Sequence, residues 1–193
     1  MNTIKTIIFL DTETTGVNFL KDEIVQASAI KVDALSASVL SVMNVYIEAT
    51  GKNLDQEALA VNGYYKGKWK TTKPALVESK KKAAFTIYEF IKDAECIFSH
   101  NAPFDKGFVY AHISKHSNIE MRTFPRYWYD TMSFAFLFKY KLPDFKYVSL
   151  DYCRREFQIA IRRDNEHDAL QDCYILKDVF FKMIKNINIK LPI

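Results

Sequence analysis

The stretch "IIFLDTETTG", Ile7–Gly16, sets two carboxylates, Asp11 and Glu13, directly behind an apolar run. From Ile4 to Asp11 the chain is rich in β-branched and aromatic residues, and it reads as a short buried strand. In a strand, residues two apart project to the same face. Asp11 and Glu13 are therefore expected to point together, at a strand end where the chain meets solvent. Two like charges held so close oppose each other's ionisation unless a cation neutralises them. A hard divalent ion with oxygen ligands suits such a pair. An isolated Asp-x-Glu is more simply a solvated strand end, so its meaning depends on the rest of the chain.

Working outward, Glu23–Val32 and Val39–Glu48 have the same strand character, and the short interval with Asp33 and Ser36 predicts an antiparallel meander. Asp55–Val61 reads as a short helix stopped at Asn62-Gly63, residues that tolerate the left-handed conformation. Pro74–Asp93 reads as an amphipathic helix with Leu76, Ala83, Ile87, Phe90 and Ile91 facing inward. Cys96–Phe98 follows as a short interior strand, then a helix over Pro103–His116. Tyr127–Tyr129 reads as another short strand before a helix beginning near Asp130-Thr131, and the last helix spans Asp168–Ile187. Three strands followed by alternating helix and strand predict an α/β fold with a mixed sheet, one domain over residues 1–193.

Composition narrows the class. With 193 residues, 49% of them hydrophobic and only five glycines and five prolines, the chain has the material for a core and none for long linkers. Lys and Arg outnumber Asp and Glu by 27 to 23, an excess that favours a polyanionic partner only mildly. The basic residues group at Lys66, Lys68, Lys70 and Lys73, at Lys80–Lys82, and at Arg154, Arg155, Arg162 and Arg163. A solvated helix face explains the Lys80 group best. Cys96, Cys153 and Cys173 are odd in number and far apart, which fits a reduced intracellular protein rather than a disulfide or zinc framework. The apolar run Ile7–Leu10 is too short for a signal peptide or a membrane span, so a soluble, cytoplasmic protein is expected.

Two later stretches change the weight of Asp11 and Glu13. "SHNAPFDKGF", Ser99–Phe108, again runs from a short strand through a polar turn into a helix, with Asn101 as the expected N-cap, Pro103 in the first turn and Asp105 just inside. "NEHDALQDCYIL", Asn165–Leu176, starts a helix at Asp168 with Gln171 three residues on, in the manner of a capping box. His167 then lies on the entry segment and Asp172 within the helix.

Together, Asp11-x-Glu13 with Thr-Thr-Gly, His-Asn-x-x-Phe-Asp105, and His167 five residues before Asp172 resemble the DEDDh (DnaQ-like) family of 3′–5′ exonucleases. That group includes the proofreading ε subunit of bacterial DNA polymerase III, ribonuclease T and oligoribonuclease. The motifs stand in the family's order and extend over almost the whole chain. "EALAVNG", Glu57–Gly63, is similar to the family's segment beside the terminal nucleotide, with Asn62 where ε-like members often carry His.

The resemblance implies a ribonuclease H-like fold and hydrolysis of nucleotides from the 3′ end of DNA, assisted by two divalent cations, Mg²⁺ or Mn²⁺. It implies that Asp11, Glu13, Asp105 and Asp172 hold the metals, Asp11 serving both, and that His167 takes the proton of the attacking water. Thr12, Thr14 and Thr15 are expected at the terminal nucleotide, with Val17, Asn62, Tyr64 and Phe104 packing against bases. Three alternatives stay open: an RNA 3′-end exonuclease, a silent nucleic-acid-binding module, and a polymerase-associated one. A polymerase partner and a homodimer are likewise left open.

Overall fold

The computed structural model describes residues 4–51, 55–142, 144–160 and 168–187. A six-stranded mixed sheet organises them. β1 (Thr6–Thr14), β2 (Ile24–Asp33) and β3 (Val39–Ile47) form the antiparallel meander, and β4 (Val77–Glu78), β5 (Ile97–Ser99) and β6 (Trp128–Asp130) add parallel to their neighbours. The spatial order is β4-β3-β2-β1-β5-β6, so the strand carrying Asp11 and Glu13 is interior.

Both faces of β1 are covered, and its alternation assigns each residue to a layer. Ile8 and Leu10 pack with Ala83, Ile87 and Ile91 of α3 (Lys80–Ile91) and with Phe108, Val109 and Ile113 of α4 (Ala102–His116). Ile7 and Phe9 turn the other way, onto Cys173, Leu176 and Phe180 of α7 (Ala169–Ile187). The Phe9 and Phe180 ring centroids lie 5.4 Å apart, and truncating such a buried ring costs about 3–5 kcal/mol. Two further helices, α5 (Thr131–Lys141) and α6 (Leu150–Glu156), pack on α7 through Ala135, Phe138, Tyr152 and Val179. At the end of the meander, α1 (Gln56–Asn62) and α2 (Lys68–Thr72) surround Tyr46, Tyr64 and Trp69. Among the described residues no helix is long and apolar enough to cross a membrane.

Several expectations are corrected. β1 does not stop at Asp11: it stays paired with β2 through Thr14, with a register irregularity at Glu13/Thr14. Glu13 is consequently buried, not a solvated strand end. The helix expected over Pro74–Asp93 is three pieces. Pro74–Leu76 is one 3-10 turn, Val77–Glu78 pairs with β3, and Ser79 caps α3 by accepting from Lys82 N. Leu76, expected inside, is half exposed. The short α2 around Trp69 has no counterpart in the sequence reading. Helix α1 does end where expected, at Gly63 with φ +61°. The Lys80 group behaves as a structural face: Lys80 pairs with Glu23 and Lys82 with Glu78.

Candidate active site

Strand parity builds the site. Asp11 and Glu13 share the face of Ile7 and Phe9 and so meet α7, while Thr12 shares the face of Ile8 and Leu10 and meets α4. On α7, Asp168 Oδ1 accepts from the amides of Leu170 and Gln171, as the capping reading predicts, and the helix presents Asp172 one turn later. One oxygen from each of Asp11, Glu13 and Asp172 lies within 4.8 Å of the others. Asp105 enters from the first turn of α4, where it is 2% exposed and its Oδ1 accepts from Thr12 Oγ1 at 2.8 Å. His167 lies outside the described residues.

These groups line one cavity of about 240 Å³ with Thr12, His100, Asn101 and Phe104. Burial, and then the neighbouring charges of Asp105, Asp172, Glu13 and Asp168, push the Asp11 carboxyl well above its usual range. Burial likewise raises Asp105 to about 7, against the opposing hydrogen bond from Thr12. So many carboxylates at one point oppose one another's ionisation, and hard oxygen donors this close match a divalent cation. The donor set fits a metal on its own chemistry.

α4 starts differently from the expectation. Asn101 adopts φ +79° and makes no side-chain cap. The cap comes from Asp130, whose Oδ1 accepts from Asn101 N at 2.8 Å and Ala102 N at 3.4 Å while also capping α5 through Met132 N. One carboxylate thus fixes two helix starts beside the cavity. His100, not among the site residues expected from the sequence, lines the cavity. Its Nε2 donates to the Val148 carbonyl at 2.7 Å, and its Nδ1 lies 2.9 Å from Thr131 Oγ1. Burial holds its pKa below the ordinary histidine value. The signal that could have found it is its place in the His-Asn-x-x-Phe-Asp motif.

The residues expected to touch substrate separate into groups. Thr12 and Phe104 line the cavity, and Phe104 also packs on Phe108 with centroids 4.8 Å apart. Thr14, Thr15 and Asn62 brace the strand end. Thr14 Oγ1 donates to the Gly16 carbonyl, Thr15 Oγ1 accepts from Glu23 N, and Asn62 Nδ2 donates to the Thr14 carbonyl at 2.8 Å. Val17 is exposed on the following loop. Tyr64 is not available to a base: it is 2% exposed, its hydroxyl donates to Glu48 and accepts from Ala49 N, and burial pushes it up to about 12. A Cβ on Gly16 would stand 2.4 Å from Asp22 Oδ2, so a larger residue would have to push the Asp22 carboxylate aside.

A family model described as an exonuclease matches residues 8–180. The chain is 30% identical over 189 residues to DNA polymerase III subunit epsilon of Buchnera aphidicola subsp. Acyrthosiphon pisum, covering 95% of this chain and 74% of that protein. It is 25% identical to the PolC-type DNA polymerase III of Streptococcus pyogenes, covering 94% of this chain but only 11% of that protein. In structure it is similar to exonuclease I, with a TM-score of 0.78 at 19% identity, over 94% of this chain and 41% of the other. Escherichia coli exonuclease I in complex with a dT13 oligonucleotide gives a TM-score of 0.71 at 20% identity, with coverage of 94% and 41%. The mixed sheet flanked by helices is thus the ribonuclease H-like fold that the motifs implied.

Proposed function

Because the chain belongs to the exonuclease family, we propose that it is a divalent-metal-dependent 3′–5′ exonuclease acting on single-stranded or frayed 3′ ends of DNA. The observation that carries this reading is the convergence of Asp11, Glu13 and Asp172 within 4.8 Å at a cavity that Asp105 completes. The similarity to an epsilon subunit over most of both chains favours DNA over RNA.

In the proposed mechanism Asp11, Glu13 and Asp172 would hold one cation, Mg²⁺ or Mn²⁺, and Asp105 with Asp11 would hold a second. Such ions supply Lewis acidity, offsetting the charge of the phosphodiester and of the leaving oxygen. The chain supplies the rest. Thr12 fixes the rotamer of Asp105, and Asp168 fixes the start of the helix that presents Asp172. His167, next to Asp168 in sequence, accepts the proton of the attacking water. The water oxygen bonds to phosphorus as the bond to the 3′ oxygen breaks, giving a nucleoside 5′-monophosphate and a shortened chain with a free 3′ hydroxyl. Phe104 flanks the terminal base, where a π-face serves any sequence.

The test is cleavage of matched DNA and RNA oligonucleotides, labelled at the 5′ end, with Mg²⁺ or Mn²⁺. A ladder of shortened DNA products is expected from the native chain and none from Asp11→Ala or Asp172→Ala, both still folded. His167→Ala is expected to retain substrate binding and lose about 10²–10⁴-fold in turnover. Activity in Asp11→Ala would remove the metal assignment, preference for RNA would reassign the substrate, and binding without cleavage would favour a silent module.

A further inference from the structure

Both ends of the chain between Thr131 and Val148 are pinned on His100, through Thr131 Oγ1 and the Val148 carbonyl. His100 lines the carboxylate cavity, so this excursion leaves the rim of the site and returns to it. Between those points α5 runs eleven residues, about 16 Å at 1.5 Å per residue. Its buried side is Thr131, Ala135 and Phe138, and its opposite side exposes Phe136 (59%) and, one turn on, Tyr140 (82%). Tyr147, next to the Val148 anchor, is 63% exposed. Lysines flank these rings in sequence, in Lys139-Tyr140-Lys141 and Lys146-Tyr147, and all three are exposed. Residues 131–148 hold three lysines against one acid, Asp144.

We propose that this face, Phe136, Tyr140 and Tyr147 with Lys139, Lys141 and Lys146, carries the single-stranded nucleic acid upstream of the 3′ end. The proposal rests on the exonuclease reading and adds to it where the rest of the substrate lies. The acid cluster itself repels a polyanion, so attraction has to come from elsewhere on the surface. Lysine is depleted at the core of protein–protein interfaces, whereas cations alternating with exposed aromatic rings match the phosphates and bases of a single strand. The charge pattern therefore favours nucleic acid over a protein partner or a second copy of the chain.

The test is fluorescence anisotropy in EDTA with a labelled dT 20-mer and a labelled dT trinucleotide, using the full chain, Tyr140→Ala, and the triple variant Lys139→Ala/Tyr140→Ala/Lys141→Ala. All three substituted side chains are exposed, and thermal melting checks that the variants fold. Tyr140→Ala is expected to weaken 20-mer binding about 5-fold or more, as for one lost base stack. The triple variant is expected to lower the ratio of 20-mer to trinucleotide affinity further. It should also flatten the dependence of log K on log salt by about 1.4, for two phosphates on a single strand. Unchanged 20-mer affinity and salt slope in the folded triple variant would overturn the proposal, as would a native chain that does not bind the 20-mer. A dimer of the native chain that Tyr140→Ala dissociates, with 20-mer affinity kept, would reassign the face to self-association. Cleavage by the native chain is scored separately in Mg²⁺, so failure to cut counts against the exonuclease reading and undiminished binding by the variant against this one.

Discussion

Replacing Asp105 with Asn should stabilise the metal-free protein while damaging the site. Asp105 is 2% exposed, and burial lifts its carboxyl from the ordinary value of 3.8 to about 7. The ionised form is therefore the disfavoured one in the fold. At about 1.4 kcal/mol per pH unit, the span from 3.8 to about 7 gives an upper figure of about 4 kcal/mol. The sign follows from the raised value: the penalty is complete above pH 7, shrinks as pH falls, and is gone below 3.8. Asn keeps a carbonyl oxygen that can accept the Thr12 hydroxyl, now 2.8 Å from Oδ1, so the packing is conserved and only the charge is removed. For a chain of this size 1 kcal/mol moves Tm by about 2–4 °C, so the ceiling is about 8–16 °C. The assay is thermal melting of EDTA-treated native and Asp105→Asn proteins from pH 5 to 8.5. The variant should melt higher at pH 8, the gap should close toward pH 5, and added Mg²⁺ should raise the native protein more than the variant. A variant that melts at or below the native protein at pH 8, with no dependence on pH, would refute the electrostatic account of the site.

Other perturbations probe the scaffold. Asn62→Ala removes the donor to the Thr14 carbonyl and should cost about 1–3 kcal/mol in urea unfolding, as for a buried group left unpaired. Gly16→Ala sets a Cβ against the Asp22 carboxylate, which accepts from Asn18 N; displacing it should cost about 0.5–1.5 kcal/mol in urea unfolding, as for one lost hydrogen bond. At Glu23, burial acts to raise the carboxyl, but Lys80 and the amides of Gly51 and Thr50 outweigh it and hold it at about 2. The stability this brings is complete above pH 4.5 and lost as pH falls through about 2. Lys80→Met should therefore cost about 1–3 kcal/mol at pH 7, with a smaller difference from the native protein in acid denaturation near pH 2.

The meander and the mixed sheet were legible because alternation and β-branching act locally. The acids were legible because three stretches repeat the same logic, a strand end or helix start presenting a carboxylate. Non-local interactions account for what was misread. The strand was expected to end at Asp11 with Glu13 at a solvent-facing end, yet β2 pairs through Thr14 and Thr12 finds its partner on Asp105, 93 positions away. Asn101 looked like a cap by residue type, but Asp130, 29 positions on, takes the role and frees Asn101 for a left-handed φ. Tyr64 looked like a base-stacking ring until Glu48 and Trp69 enclosed it.

The same alternation explains why the acid site is assembled on this strand. A helix would send side chains two apart to different sides, whereas β1 sends Asp11 and Glu13 together toward Asp172 on α7 and Thr12 the opposite way, toward Asp105 on α4. The strand therefore draws carboxylates from both helical layers to one edge of the sheet. A register slip of one residue would exchange the two sets, pointing Asp11 at the α4 side and Thr12 at Asp172. The apolar half of the strand guards against this. Ile7 and Phe9 are matched to the aromatic face of α7, Ile8 and Leu10 to the aliphatic core under α3 and α4, so the residues that specify the fold also set the position of the acids.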